Sequence, residues 1–325
     1  MPRHFIWMIG LIAFSLNWPL NRPAWGESPR SLQADFPKLD LSRSSINLRE
    51  IQSGGVPRDT IAAILAAEFR PVSQVAGLGD DEPVIFLEGS CGAFAFPYRI
   101  LIWHEIVHHD FCGVPVAVTY CPLCNTSMVF DRRLDGNVLS FGTTGRLRHS
   151  DLVMYDRQTE TLWQQFTGEG LVGTHSGRTL TVIPARIESV ALFRQAHPDG
   201  QVLVPPAWGR GSYGNTPYAG YDSLPEPTLY QGKLPRNIEP MARVVRVGQE
   251  AWALSYLRKH RRIEPADGLV IEWIEGQNSA LDRQAISRSK DIGNVRVTRD
   301  GKPVAFSVDF AFAFFAFYPD GKLTK

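Results

Sequence analysis

Along this chain the apolar residues gather in short β-branched and aromatic blocks punctuated by Gly, Pro, Asn and Asp, a pattern of strands and turns more than of long helices. Residues 83–89 followed by 93–99 predict a strand, a tight turn, and a second strand or short helix. Residues 114–120 (Val-Pro-Val-Ala-Val-Thr-Tyr) are apolar enough for a buried strand that runs directly into Cys121-Pro122-Leu123-Cys124-Asn125. Beyond it, residues 127–132 and 138–141 flank Asp135-Gly136, a strong hairpin signal. Residues 61–67 are Ala-rich and predict a short helix, residues 141–145 predict a tight turn, and residues 152–155 predict a short strand.

The blocks recur. The pair 83–89 and 93–99 is echoed by 242–248 and 251–257, and Asn125-Thr126-Ser127 by Asn278-Ser279-Ala280. Both halves close on an aromatic segment followed by Pro198-Asp199-Gly200 or Pro319-Asp320-Gly321. Three similarities in the same order predict a degenerate duplication. The expected fold is therefore α+β and β-rich, with two degenerate tandem repeats packed as a pseudo-symmetric pair. The second copy contains no Cys, so the site is expected in the first. The expected organisation is a signal peptide over 1–26, an entry arm over 27–60 and a first repeat over 61–204. A Pro-, Gly- and Tyr-rich connector over 205–239 and a second repeat over 240–325 follow.

The N-terminus carries a different pattern. Arg3 and His4 precede an apolar run over 5–16, and Ala24 and Gly26 are the small residues of a signal-peptide cut. The run is short of the roughly 20 residues that span a bilayer, and Asn17 and Pro19 interrupt it. The expected location is secreted or periplasmic, with an uncleaved membrane anchor the lesser alternative and no stable membrane span after cleavage. Composition adds exclusions. With 34 Lys+Arg against 33 Asp+Glu there is no basic surplus to neutralise phosphates, so nucleic acid is not an expected partner. With 44% hydrophobic and 21% charged residues the chain is an ordinary folded protein, and its four Cys are too few for a disulfide scaffold.

Candidate chemistry centres on Cys121 and Cys124. Two strands joined by a Cys-Pro-x-Cys turn place both thiols on one side, and Asn125 tolerates the left-handed backbone that must follow. Such a knuckle supplies two ligands to a transition metal (zinc, copper or iron) and needs others. His149 and His104 are the candidates, within a stretch that also holds His108, His109 and His175. The alternative is a thiol-disulfide oxidoreductase in which Cys121 attacks and Cys124 resolves. It calls for a Cys at a helix N-terminus, and little room for a helix exists before Asp135-Gly136. A structural pair of thiols is the third reading. The spacing His104-Glu105-Ile106-Val107-His108 matches a zinc-protease pattern, but Gly113 and Pro115 follow at once and the segment reads as a strand. Cys91 and Cys112 fall at predicted turns, where a disulfide and free thiols are both open. Arg132, Arg146, Arg148 and Arg157, with Asp151 and Trp163, are candidates for a pocket binding a small anion in a non-enzymatic module; surface ion pairs are the alternative.

Residues 115–132 (Pro-Val-Ala-Val-Thr-Tyr-Cys-Pro-Leu-Cys-Asn-Thr-Ser-Met-Val-Phe-Asp-Arg), 150–160 and Leu162-Trp163 together resemble a prokaryotic domain of unknown function, DUF 3179. Residues 217–222 and the aromatic Pro-Asp closure resemble it too, so the likeness covers roughly 50–325. It implies a grouping and no activity. The family's pattern has Asn-Asp where this chain has His108-His109, which counts against a ligand role for His108. Cys91 and Cys112 are peculiar to this chain.

Overall fold

The computed structural model describes residues 26–325. Apart from Gly26, the signal-peptide reading lies outside the described residues. Among those described, no helix is long and apolar enough to cross a membrane. Over the described residues the protein is a sheet-rich α+β structure with five short α-helices of seven residues each.

Two strand pairs set the frame. Pro83–Gly89 pairs antiparallel with Gly92–Pro97, and the chain then turns into helix Tyr98–His104. Arg186–Ser189 lies antiparallel to the first of these strands, and Gln201–Leu203 parallel to the second. In the C-terminal part, Arg243–Val247 pairs with Glu250–Ala253 and leads into helix Leu254–His260. There Ser307–Phe310 flanks one side antiparallel and Lys322–Thr324 the other side parallel. Both frames are packed on one apolar core, where Phe96, Tyr120, Phe130 and Trp163 meet Val245, Trp252, Phe310 and Phe312. Each large side chain removed from water there contributes about 1.5–3 kcal/mol, which holds the two parts together without a linker constraint.

The site rests on a three-stranded sheet of Ile106–Phe111, Val114–Cys121 and Thr126–Asp131. The last of these strands is buried along its whole length, as its Thr-Ser-Met-Val-Phe sequence suits. A five-stranded sheet stands beside it, built around the hairpin Phe141–Arg148 and Asp151–Asp156. The Asp135-Gly136 hairpin forms as expected, with φ of 50° and 80° that this turn demands.

Two local expectations are corrected. Residues 61–67 are not helical: Ile64 instead bonds into the edge of strand Ile106–Phe111, through Ile64 N to Ile106 O and His108 N to Ile64 O. Residues 141–145 are not a tight turn but a strand with a bulge between Thr143 and Arg146. There Gly145 takes φ +69°, and a Cβ would lie 2.0 Å from Val56 O. The entry arm's backbone passes that close.

Cys91 and Cys112 form a disulfide that ties two hairpin turns together. Cys121 and Cys124 are free and buried.

Candidate functional site

The knuckle is built by strand geometry. Val114–Cys121 enters, Thr126–Asp131 leaves, and Cys121 faces Thr126 across the ladder. Asn125 closes the turn at φ 55°, its N–H donating to Pro122 O at 3.2 Å. Opposite the knuckle lies the turn between Phe141–Arg148 and Asp151–Asp156. Arg148 pairs with Asp151, so His149 and Ser150 are the whole loop, at φ 55° and 67°. Two consecutive non-glycine residues in this region cost about 1–2 kcal/mol each. The Ser150 hydroxyl donates to Thr228 O at 2.7 Å and helps hold the turn. Its two carbonyls meet the two thiols: Cys121 Sγ lies 3.8 Å from Ser150 O, and Cys124 Sγ lies 3.9 Å from His149 O.

Asp151 completes the group. One ligand atom from each of Cys121, Cys124 and Asp151 lies within 4.8 Å of the others, and all three residues are buried. Asp151 Oδ1 accepts from Gln164 Nε2 at 2.7 Å and from Phe166 N at 2.9 Å. Among the described residues, no N–H or hydroxyl donates to the buried Oδ2, and the other donor facing the carboxyl is the Cys121 thiol. Burial pushes both thiols above their ordinary range, and for Cys124 the neighbouring Cys121 adds to it. Burial also raises the Asp151 carboxyl to about 7. Glu105 sits next to this group: its carbonyl accepts from Tyr120 N at 2.9 Å, and burial, then the Asp151 charge, raises its carboxyl to about 8. Four acidic groups thus share one buried region, and a cation there would oppose each of these shifts.

Other parts of the chain close over the knuckle. Phe310 N donates to Cys124 O at 3.0 Å, Asn125 Nδ2 to Val308 O at 2.7 Å, and Thr126 Oγ1 to Asp309 Oδ1 at 2.8 Å. Asp309 is itself held by Arg246 Nε at 2.7 Å. From the segment 205–239, Tyr221 Oη donates to Leu123 O at 3.0 Å.

The histidine candidates are not in the group. His104 ends its helix with both ring nitrogens engaged, Nδ1 with Ala62 O at 2.7 Å and Nε2 with Tyr213 Oη at 2.8 Å. His149 does reach the knuckle, but with its carbonyl. Its ring packs against Phe317 and Tyr230, and Nε2 lies 3.7 Å from Glu50. The protease spacing is broken as expected: His104 is helical, Glu105 takes φ 57°, and His108 lies in a strand, its Nε2 accepting from Phe141 N at 3.1 Å.

The arginines follow the ion-pair alternative, each guanidinium having its own partner. Arg146 is bound by Asp35 and Glu27, Arg148 by Glu50, and Arg157 by Asp59. Arg132 donates to Leu139 O at 2.8 Å. Trp163 is fully buried, its Nε1 donating to Asp156 Oδ2 at 3.0 Å. The acids of the entry arm, up to 119 residues away in the chain (Glu27 to Arg146), take up this positive charge. Of that set only Asp151 stands at the thiols. Glu105 was read only as part of the discarded protease spacing, and Gln165, whose buried amide bonds Thr119 and Thr126, carried no signal in the sequence.

No curated protein and no solved structure matches this chain. One family model does, covering the three-stranded sheet, the Cys-Pro-Leu-Cys knuckle and the hairpin that brings Asp151 to it. On that match over residues 58–321, the chain belongs to DUF3179, a family of proteins of unknown function.

Proposed function

We propose that this is an exported protein whose Cys121, Cys124 and Asp151 hold a divalent transition-metal ion. The observation that carries the reading is Asp151 Oδ2, a buried carboxylate oxygen to which no N–H or hydroxyl of the described residues donates, beside two free thiols. A buried acceptor left unpaired costs about 1–3 kcal/mol, and a cation coordinated there removes that cost. Two thiolates and a carboxylate oxygen suit zinc or another borderline divalent ion; copper(I) prefers an all-sulfur set. The Cys91–Cys112 disulfide supports an oxidising compartment. In such a compartment a neighbouring free dithiol is itself prone to oxidation, and a bound ion protects it.

The oxidoreductase reading finds less support. A reactive cysteine needs a lowered thiol pKa and access, whereas Cys121 ends a strand, both thiols are buried, and burial moves both the other way. A small-anion module lacks convergent arginines.

The duplication belongs to the same proposal. The strand order of Arg186–Ser189, Pro83–Gly89, Gly92–Pro97 and Gln201–Leu203 recurs as Ser307–Phe310, Arg243–Val247, Glu250–Ala253 and Lys322–Thr324. A seven-residue helix follows Gly92–Pro97 in the first set and Glu250–Ala253 in the second. These orders support two copies of one plan, with the thiol knuckle inserted only in the first and the second serving as its support.

The test is elemental analysis of protein purified from metal-supplemented growth, repeated for Cys121→Ser and Asp151→Asn. The reading expects about one ion per chain in the wild type and loss in Cys121→Ser. A wild type purified without stoichiometric metal that also fails to take up added zinc overturns it.

A further inference from the structure

We infer that the cluster keeps one ligand position for an exchangeable water or hydroxide, whose O–H donates to Gln165 Oε1. This rests on the metal reading above. Gln165 is fully buried, and its Oε1 has no hydrogen bond from any described residue. The amide cannot turn to avoid this. Its Nε2 donates to Thr119 Oγ1 at 2.9 Å and to Thr126 O at 3.2 Å. Thr126 O can only accept, and the Thr119 hydroxyl spends its proton on Met128 O at 2.9 Å. Both neighbours therefore require the N–H side of the amide, which fixes Oε1 outward.

The placement ties this residue to the thiol site. Thr126 is the ladder partner of Cys121, and Thr119 projects from the same face of that strand as Cys121. On either side of Gln165 in the chain, Gln164 Nε2 and Phe166 N are the two donors to Asp151 Oδ1. Gln165 is therefore strung between the carboxylate and the strand that carries the first thiol.

Thiolates and a carboxylate are acceptors and cannot satisfy an amide oxygen. An ion-bound water or hydroxide can, since the ion makes its O–H a strong donor. Three protein ligands with one solvent position is also the arrangement that separates reactive zinc sites from closed structural ones. The ligand class is small and monodentate, because all three ligand residues are buried.

The experiment uses the reduced-dithiol, disulfide-intact protein loaded with cobalt(II), read by its visible spectrum while azide is added to equilibrium. Azide is expected to shift the ligand-field bands of the wild type while the sulfur-to-cobalt band stays. In Gln165→Met the sulfur band is expected to persist and the azide and pH responses to change, with azide affinity altered at least severalfold. Thr119→Val, which frees the amide without removing its oxygen, provides the same comparison should Gln165→Met not fold. A wild-type spectrum with the sulfur band present but indifferent to azide overturns the inference and leaves the metal site standing. So does an azide response identical in wild type and both variants. Absence of the sulfur band in the wild type fails the metal reading itself.

Discussion

The carbonyl of Cys124 accepts a hydrogen bond from the backbone N–H of Phe310 at 3.0 Å, so the thiol knuckle is completed by a strand 186 residues further along the chain. The next two residues of the knuckle are held by the same strand, through Val308 O and the Asp309 carboxylate. The C-terminal part thereby fixes the geometry of a site to which it contributes no thiol.

Asp309 tests that support. It is wholly buried between Arg246, Ser307 and Thr126. Asp309→Ala leaves the Arg246 guanidinium buried without its partner and is expected to cost about 3–5 kcal/mol. Urea unfolding measures this, and Asp309→Leu with Arg246→Met should recover a large part of the loss. A change below about 1 kcal/mol in Asp309→Ala would show that Asp309 does not support the knuckle.

Asn125 is expected to be selective for backbone. At φ 55° a β-branched residue is strained, while Gly is not. Asn125→Val should lower stability by about 2 kcal/mol or more through strain and the lost bond to Val308 O, and Asn125→Gly by less. Thermal melts that rank the two the other way would contradict the turn geometry.

His108 predicts a pH dependence. Burial first, then the charges of Arg132 and Arg157, lower its folded-state pKa to about 3 against an ordinary 6.5. The unfolded chain therefore takes up a proton that the folded one refuses. The stability linked to this residue is complete above pH 6.5 and is lost as pH falls toward 3, by up to about 1.4 kcal/mol per pH unit. His108→Asn should flatten this part of the pH–stability curve. Parallel curves for the two proteins would rule the assignment out.

The Cys91–Cys112 disulfide closes a loop with a sequence separation of 21. Chain-entropy arithmetic gives it about 3 kcal/mol. Cys91→Ser with Cys112→Ser should lower the urea midpoint accordingly and leave metal content unchanged. Loss of bound metal in that variant would mean that the disulfide shapes the site.

Much of the frame was legible because it is local. The Asp135-Gly136 hairpin, the buried strand before the knuckle and the left-handed Asn125 each follow from neighbouring residues. What was not legible depends on distant partners. Arg146, Arg148 and Arg157 look like a ligand pocket until Glu27, Asp35, Glu50 and Asp59 fold across them. His149 was placed near the thiols, yet because it is half of a two-residue loop its carbonyl faces them and its ring faces Phe317. The same turn swings Asp151 inward, where its carboxylate stands in place of the expected imidazole.

Cobalt(II) titration of the reduced-dithiol protein, with the Cys91–Cys112 disulfide intact, bears most directly on the central claim. The account predicts saturation at one equivalent with a sulfur-to-cobalt band, no such band in Cys121→Ser, and binding weakened by roughly 10-fold or more in Asp151→Asn. A wild type without the band, or an Asp151→Asn protein that binds as tightly as the wild type, would contradict it.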